Sequence, residues 1–469
     1  MPVPPRLRRL LAAALPAVLA VSFAACDHAT YPNSVFTNHT EFNRSVGGLF
    51  DILFLLGGIV FVFVEAILLY AIWKYRRRSE DDRPEHVHGN TTLEILWTAI
   101  PAVILIFIAI PTVRVIFETQ AKAKSDALQV EVIGHQWWWE FRYPQYGITT
   151  AGELYLPIGR TVNFALKTAD VLHSFSIPRL GGKRDLISNH TNYLWFTPDS
   201  VQETAFNGMC AEYCGASHAN MRFKTFTVSP ANFEAWAKNQ QRPAAMGAEV
   251  PAGGAAAAAA APGAPADPSA RQAAQVAAQA GGQATGPTGV AAAMGPQMAQ
   301  APAAAAGPAH AGHDMSATGS AGVQQAGFTA FPRERMPDAT IPKTPIPAAM
   351  GSWDESVKGD AQRGRDFMAK FGGGCAGCHA ISGIPTMIGQ LGPNLTHVAT
   401  RTTIAGGLYP NDTKHLSLWI KNARYMKPGS YMPTLGAFQR DPITKKTVPQ
   451  TGLSDQQIAD IVAYLQALK

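Results

Sequence analysis

Apolar and polar positions change their rhythm four times along the chain, and each rhythm predicts a different kind of structure. The first 25 residues carry Arg6, Arg8 and Arg9, then an apolar run from Leu10 to Ala25. That is the charged n-region and h-region of a signal peptide, too short to count as a span. Ala24 and Ala25 precede Cys26 as at a bacterial lipoprotein cleavage site, with Phe23 where leucine is usual; ordinary cleavage that leaves Cys26 free is the alternative. Two long apolar runs come next, Gly47–Trp73 and Leu93–Phe117. Each is long enough to cross a hydrocarbon layer of about 30 Å as a helix. The short loop between them holds Lys74, Arg76, Arg77, Arg78 and Arg83, and so should stay cytoplasmic. Both outer ends of the hairpin then face outward, in agreement with an exported N-terminus.

From about Leu128 to Asn239 the period shortens to two, as in Leu128–Val132, Thr161–Phe164, Tyr193–Phe196 and Phe223–Val228. Gly, Pro and Asn separate these runs, the signature of an antiparallel β-sandwich or barrel over residues 126–240. Residues 243–327 are Ala, Gly, Pro and Gln with only Glu249, Asp267, Arg271 and Asp314 charged, and Pro-rich sequence continues to Ala349. Without bulky apolar residues such a stretch cannot form a core, so 241–354 reads as a flexible linker. A coil of ~100 residues reaches roughly 50–60 Å, which predicts that the C-terminal segment moves as a separate body. That segment, 355–469, is helical. Its end carries a capping box, Ser454 with Gln457, and a helical face of Ile458, Ile461, Val462, Leu465 and Leu468.

At 469 residues the chain holds two to four domains. Its net charge of +6 comes with only 15% charged residues and no dense basic face, which argues against a nucleic-acid partner. The five cysteines are more telling: Cys26, then Cys210 with Cys214, then Cys375 with Cys378. Cys210 to Met221 reads C-A-E-Y-C-G-A-S-H-A-N-M, which places His218 and Met221 behind two cysteines, with His173 available upstream. Thiolate, thioether and imidazole together suit copper better than magnesium or calcium, and two thiolates on one loop can bridge a metal pair. A Cys210–Cys214 disulfide beside an unrelated histidine is the bland alternative. Cys375-Ala376-Gly377-Cys378-His379 is C-x-x-C-H, the attachment signature of c-type haem, with His379 placed to ligate iron. Met432 in K-P-G-S-Y-M-P offers the distal ligand, with Met426 an earlier competitor. Glu94 opens the second apolar run, where a helix-start acid is favoured by the macrodipole. Trp137 in the run Trp137-Trp138-Trp139 reads as barrel core, Asp170 and Glu212 as surface carboxylates, and His310, His313 and Met315 as linker residues.

The Cys210–Met221 loop, His173 and the run Gly134-His135-Gln136-Trp137-Trp138-Trp139 resemble the binuclear copper domain of cytochrome c oxidase subunit II. The resemblance covers about residues 46–240, and the C-x-x-C-H segment extends it to a subunit II with a fused cytochrome c, the caa-type arrangement. It implies a cupredoxin-like Greek-key barrel, a two-helix transmembrane hairpin and an all-α class I cytochrome c domain. Two copper ions would be held by His173, Cys210, Cys214, His218, Met221 and the carbonyl of Glu212, whose side chain would reach a magnesium ion at the boundary with subunit I. One haem c would be held by Cys375, Cys378, His379 and Met432, with Gly392-Pro393-Asn394-Leu395 as the turn over the histidine. Trp137 would receive electrons from a docked cytochrome, and Glu94 would stand at the cytoplasmic entrance of a proton path. The implied partners are subunits I and III, a cytochrome c or cytochrome bc complex as donor, and membrane lipid. The implied location is a bacterial inner membrane with copper and haem on the periplasmic face. The copper subunit of a nitric oxide reductase, a stand-alone membrane electron carrier and a copper-handling protein are the rivals.

Overall fold

The computed structural model describes residues 31–77, 79, 88–120, 123, 125–243, 327–370 and 374–469. The signal-peptide reading, Cys26, Arg78, Arg83, residues 244–326 and with them His310, His313 and Met315 lie outside the described residues.

Helix α1 spans Glu41–Lys74 and helix α2 spans Thr91–Gln120. At 1.5 Å per residue α1 is about 50 Å long, well beyond the ~30 Å of a hydrocarbon layer. Their apolar side chains, Phe54, Phe61, Phe107 and Phe117 among them, point outward along the hairpin. That exposure suits lipid or a membrane partner rather than water. Both helices run past their apolar stretches because polar ends are pinned to the barrel. Thr40 caps α1 by accepting from Asn43 N–H and itself donates to the Leu180 carbonyl at 2.6 Å. Arg44 pairs with Asp199, Nη1 to Oδ1 2.8 Å, and Arg184 donates to Gln120 at the far end of α2.

Ten strands make up the next region: β1 Leu128–His135, β2 Trp138–Tyr143, β3 Ile148–Ala151, β4 Glu153–Pro157, β5 Val162–Thr168, β6 His173–Ser176, β7 Lys183–Leu186, β8 Asn192–Phe196, β9 Thr204–Cys210 and β10 Arg222–Val228. They form two five-stranded sheets, ordered β3-β2-β1-β5-β8 and β4-β10-β9-β6-β7. The alternation predicts antiparallel sheets, and most pairs are antiparallel, but β1 runs parallel to β5 and β4 parallel to β10. These partners are joined by long crossovers through other strands, which free them from the antiparallel geometry a tight hairpin imposes. Between the sheets Phe141, Phe164, Phe175, Phe196, Phe223 and Trp139 are fully buried, with Phe175 stacked on Phe223 at 5.1 Å. Helix α3, Pro230–Gln240, covers one edge with Phe233 and Trp236.

The C-terminal domain contains α4 Ala361–Lys370, α5 Thr413–Lys421 and α6 Asp455–Ala467. The Ser454–Gln457 capping box is present, and Ile458, Ile461, Val462, Leu465 and Leu468 are buried as their spacing requires. Two features depart from the sequence expectations. Residues 327–354 pack rather than float: Phe328, Phe331 and Met336 join the barrel core, and Met350 and Trp353 join the C-terminal core. These are the bulky apolar residues that the Ala/Gly-rich stretch before them lacks. The C-terminal domain also packs directly on the barrel instead of standing apart, through Thr402 and Thr403 against Glu153 and Lys427 against Trp137.

Candidate metal centre

The donors converge at one end of the barrel. His173 opens β6, Cys210 closes β9, and Cys214, His218 and Met221 lie on the loop between β9 and β10. Strand β6 pairs with β9 so that Phe175 faces Cys210, which brings His173 beside the loop. Cys210 Sγ lies 3.9 Å from His173 Nδ1, 3.7 Å from Cys214 Sγ and 3.2 Å from the Glu212 carbonyl. Cys214 Sγ lies 3.6 Å from His218 Nδ1 and 3.7 Å from Met221 Sδ. Both cysteines are buried and unbonded, so the disulfide alternative is not what this loop adopts. The donor atoms of His173, Cys210 and Cys214 all lie within 4.8 Å of one another, so a small cluster of soft metal ions fits.

The residues behind the donors fix their orientation. His173 Nε2 is paired with Asp170 Oδ1 at 2.8 Å, leaving Nδ1 toward the sulfurs, the arrangement by which a carboxylate sets a ligating histidine. Burial opposes the charge on Asp170, but hydrogen bonds from His173 and from the Gln136 and Val171 N–H groups hold it below the usual carboxylate range. Burial likewise opposes protonation of His173, and Asp170 and Cys210 outweigh it, so its pKa is raised. Hydrogen bonding from Cys214 brings the Cys210 thiol down to about 3, and that charge in turn pushes the Cys214 thiol up. Two thiolates this close repel unless a cation lies between them. Gly134 makes room for the cage: a Cβ there would meet the His173 ring at 2.7 Å. Trp137 is buried and caps the loop, its Nε1 donating to the Cys214 carbonyl at 3.0 Å while Gln136 Nε2 donates to the same oxygen at 2.7 Å.

The second constellation lines a cavity of about 1540 Å³, counting its open mouth, in the C-terminal domain. Cys375, Cys378, His379 and Met432 all face it. Met426 does not line it; it is buried in the core, its carbonyl accepting from Tyr409 Oη at 2.8 Å. His379 Nδ1 donates to the Pro393 carbonyl at 2.8 Å, in the G-P-N-L turn, which leaves Nε2 as the free ring nitrogen. Burial lowers the His379 pKa and keeps the ring neutral, and burial raises both cysteine thiols. Two free thiols, a neutral oriented imidazole and a thioether around an apolar cavity fit a covalently attached haem. Gln136, Trp137 and Trp138 of the barrel also line this cavity.

Of the other residues singled out by sequence, Glu212 lends its carbonyl to the cage while its carboxylate lies 3.7 Å from Lys183 Nζ, partly exposed. Glu94 lies in the first turn of α2, which Asn90 caps by accepting from Leu93 N–H, outside both constellations. Sequence reasoning gave no role to Asp170 as the partner of His173, although a carboxylate three residues before a candidate ligand is a usable signal. It also missed Glu153, Lys427 and Tyr431, which no local motif marks.

A donor cage, an apolar cavity lined by a C-x-x-C-H segment and a methionine, and a hairpin of two long apolar helices in one chain define a membrane-anchored electron-transfer protein. The chain matches the family models "Cytochrome C oxidase subunit II, transmembrane domain" over residues 40–115, "Cytochrome C oxidase subunit II, periplasmic domain" over 148–227 and "Cytochrome c" over 361–469. Cytochrome c oxidase subunit 2 of Alkalihalophilus pseudofirmus is 37% identical over 417 residues, which cover 88% of this chain and 83% of that one. Subunit 2 of Bacillus subtilis is 41% identical over 189 residues, 37% of this chain and 53% of the relative. Among solved structures, the periplasmic domain of cytochrome oxidase subunit II of Bradyrhizobium japonicum is 25% identical, with a TM-score of 0.24, covering 26% of this chain and 97% of that one. This chain belongs to the cytochrome c oxidase subunit 2 family and carries a cytochrome c domain at its C-terminus. Membership implies copper in the barrel, haem in the C-terminal domain and association with subunit I of a haem–copper oxidase, and it makes the chain a membrane protein with an extracellular domain.

Proposed function

We propose that this chain is the electron-entry subunit of a terminal oxidase that reduces O2 to water and translocates protons. It takes electrons from a cytochrome c or cytochrome bc complex at its own haem and passes them by way of two copper ions to haem in subunit I. The observation that supports this most strongly is the convergence of His173, Cys210, the Glu212 carbonyl, Cys214, His218 and Met221, six donors drawn from 49 residues of chain, on one small volume. Bound in these two places, copper and haem would supply one-electron couples, with the Met432 thioether available to favour a high haem potential. The residues do the rest. The two thiolates share the metal charge, Asp170 holds His173 in one tautomer, and the rigid sheets restrain the donors from moving when the charge changes. Met432 and His379 face the haem cavity from their own loops, with Cys375 and Cys378 to anchor the ring.

Around this core we place a magnesium ion at the Glu212 carboxylate on the subunit I boundary, subunit III as a further neighbour, and Glu94 at the mouth of a proton path. The barrel and the haem domain stand on the periplasmic side of a bacterial inner membrane, with the loop between the two helices in the cytoplasm. Elemental analysis of the intact chain should give two copper atoms for each iron. Cys210→Ser should abolish the copper absorption and leave the c-type haem spectrum unchanged; one copper or none in the parent protein would refute the binuclear centre.

A further inference from the structure

Two of the charged-type side chains buried outside both donor sets lie where the barrel and the C-terminal domain meet. Glu153, at the start of β4, is 2% exposed, and Lys427, in the loop ahead of Met432, is 4% exposed. Burying a charge is costly unless it is fully hydrogen-bonded, so each must have a local reason. The Glu153 carboxylate takes four hydrogen bonds from the C-terminal domain. Its Oε1 accepts from Thr402 N–H at 2.7 Å, Thr402 Oγ1 at 2.6 Å, Thr403 N–H at 3.0 Å and Thr403 Oγ1 at 3.3 Å. Lys427 makes the reciprocal contact from the other side, its Nζ donating to the Trp137 carbonyl of the barrel at 2.5 Å and to its own domain's Ala405 carbonyl at 3.3 Å. The Glu153 acceptor set and one of the two Lys427 contacts thus cross between the domains; within the barrel, Glu153 also has the buried Lys224 as its charged neighbour across β4 and β10.

Between these two contacts the loop 427–432 presses on the copper loop. Gly429 has a φ of +88°, and a Cβ there would meet Ala216 and Ser217 at 3.2–3.3 Å. Tyr431, next to the haem-facing Met432, lays its ring on Trp137 at 5.1 Å and donates from Oη to Gln136 Oε1 at 2.8 Å. Trp137 and Gln136 both donate to the Cys214 carbonyl. The loop that faces one cavity is thereby placed against the loop that forms the other.

We propose that Glu153 and Lys427 are positioning residues for transfer between the two centres, one on each domain, holding the C-terminal domain in the register that sets Tyr431 on Trp137. This rests on the electron-entry reading above, but the dock itself can be measured without any electron moving. The expectation drawn from the linker composition, a freely moving domain, is replaced by a latched one.

The test uses the detergent-solubilised full chain with both cofactors bound. Cleavage at a protease site engineered into the partly exposed segment 341–345, which leaves the Phe328, Phe331 and Met336 anchors with the barrel, followed by gel filtration should leave the red fragment on the wild-type barrel. Glu153→Ala should release it, and exchange at the Thr402 and Thr403 amides should rise by about tenfold or more as their shared acceptor is lost. Glu153→Gln, which keeps an acceptor oxygen for the four donors, should hold the fragment. Haem-to-copper transfer should slow by about tenfold in Glu153→Ala and little in Glu153→Gln, a rescue that a purely internal role in the barrel would not give. A Glu153→Ala fragment that stays bound with both amides protected overturns the proposal. If that variant loses its copper signal, Lys427→Met, altered only on the C-terminal domain, decides in the same way: release supports the latch, retention overturns it. Absence of haem-to-copper transfer in the wild-type protein would instead refute the electron-entry reading, with the dock still measurable.

Discussion

The barrel fills its interior with its own side chains: five phenylalanines and Trp139 are fully buried between its sheets, and the donor cage is built on that packing. The C-terminal domain instead folds short helices and long loops around the cavity lined by Cys375, Cys378, His379 and Met432. Apolar residues such as Leu416, Ile420 and Ile461 border that cavity as well as the core. One domain therefore sets its donors on a filled interior, while the other shares apolar side chains between its core and the wall of the cavity. The difference teaches where each cofactor's binding energy goes. In the barrel it holds metal; in the C-terminal domain much of it is folding free energy.

The largest expected effect breaks this comparison on the haem side. His379→Ala should remove the cooperative melting transition of the C-terminal domain while the barrel unfolds at its usual temperature, read by scanning calorimetry of the full chain. A C-terminal transition of unchanged enthalpy would show that the domain is self-sufficient. Next, Phe175→Ala should cost the barrel about 3–5 kcal/mol, because the ring is fully buried against Phe223 and Phe175 is itself the residue paired with Cys210. Denaturant unfolding monitored by tryptophan fluorescence measures it, and the haem-domain transition should not move. A gentler change sharpens the metal side: Asp170→Asn keeps the shape but loses the charge on His173, and copper affinity should fall by roughly 10–100-fold with barrel stability nearly constant. Competition with a copper chelator gives the number. Glu94→Ala should leave both domains, both cofactors and haem-to-copper transfer as they are, and slow only steady-state oxygen reduction; full turnover would return Glu94 to the role of a helix-start acid, worth about 0.3–1 kcal/mol.

Legibility in the sequence tracks the range of the interactions. The capping box, the C-x-x-C-H segment and the Cys210–Met221 loop are local, with partners within about a dozen residues, so spacing alone carried them. Period-two runs located strands where burial alternates, as in β5 with Val162, Phe164 and Leu166 buried; β10 is buried at six successive positions instead. Strand order and the two parallel pairs were not legible, since alternation says which face is buried and nothing about the neighbour. Glu153 was invisible for the same reason. It opens β4, a short strand buried at every position, and its four donors lie some 250 residues away. Residues 327–354 misled because composition was averaged over a long Pro-rich stretch, whereas Phe328, Phe331 and Trp353 act singly as anchors.

The most direct test of the central claim is a single-turnover experiment on the intact protein, in which the C-terminal haem is reduced by a flash-activated donor and the copper absorption is monitored. The account predicts that haem oxidation and copper reduction proceed with the same time constant and equal electron count, and that blocking the haem site by His379→Ala abolishes copper reduction by the external cytochrome. Copper that is reduced by that cytochrome at an undiminished rate in His379→Ala would contradict electron entry through this chain's own haem.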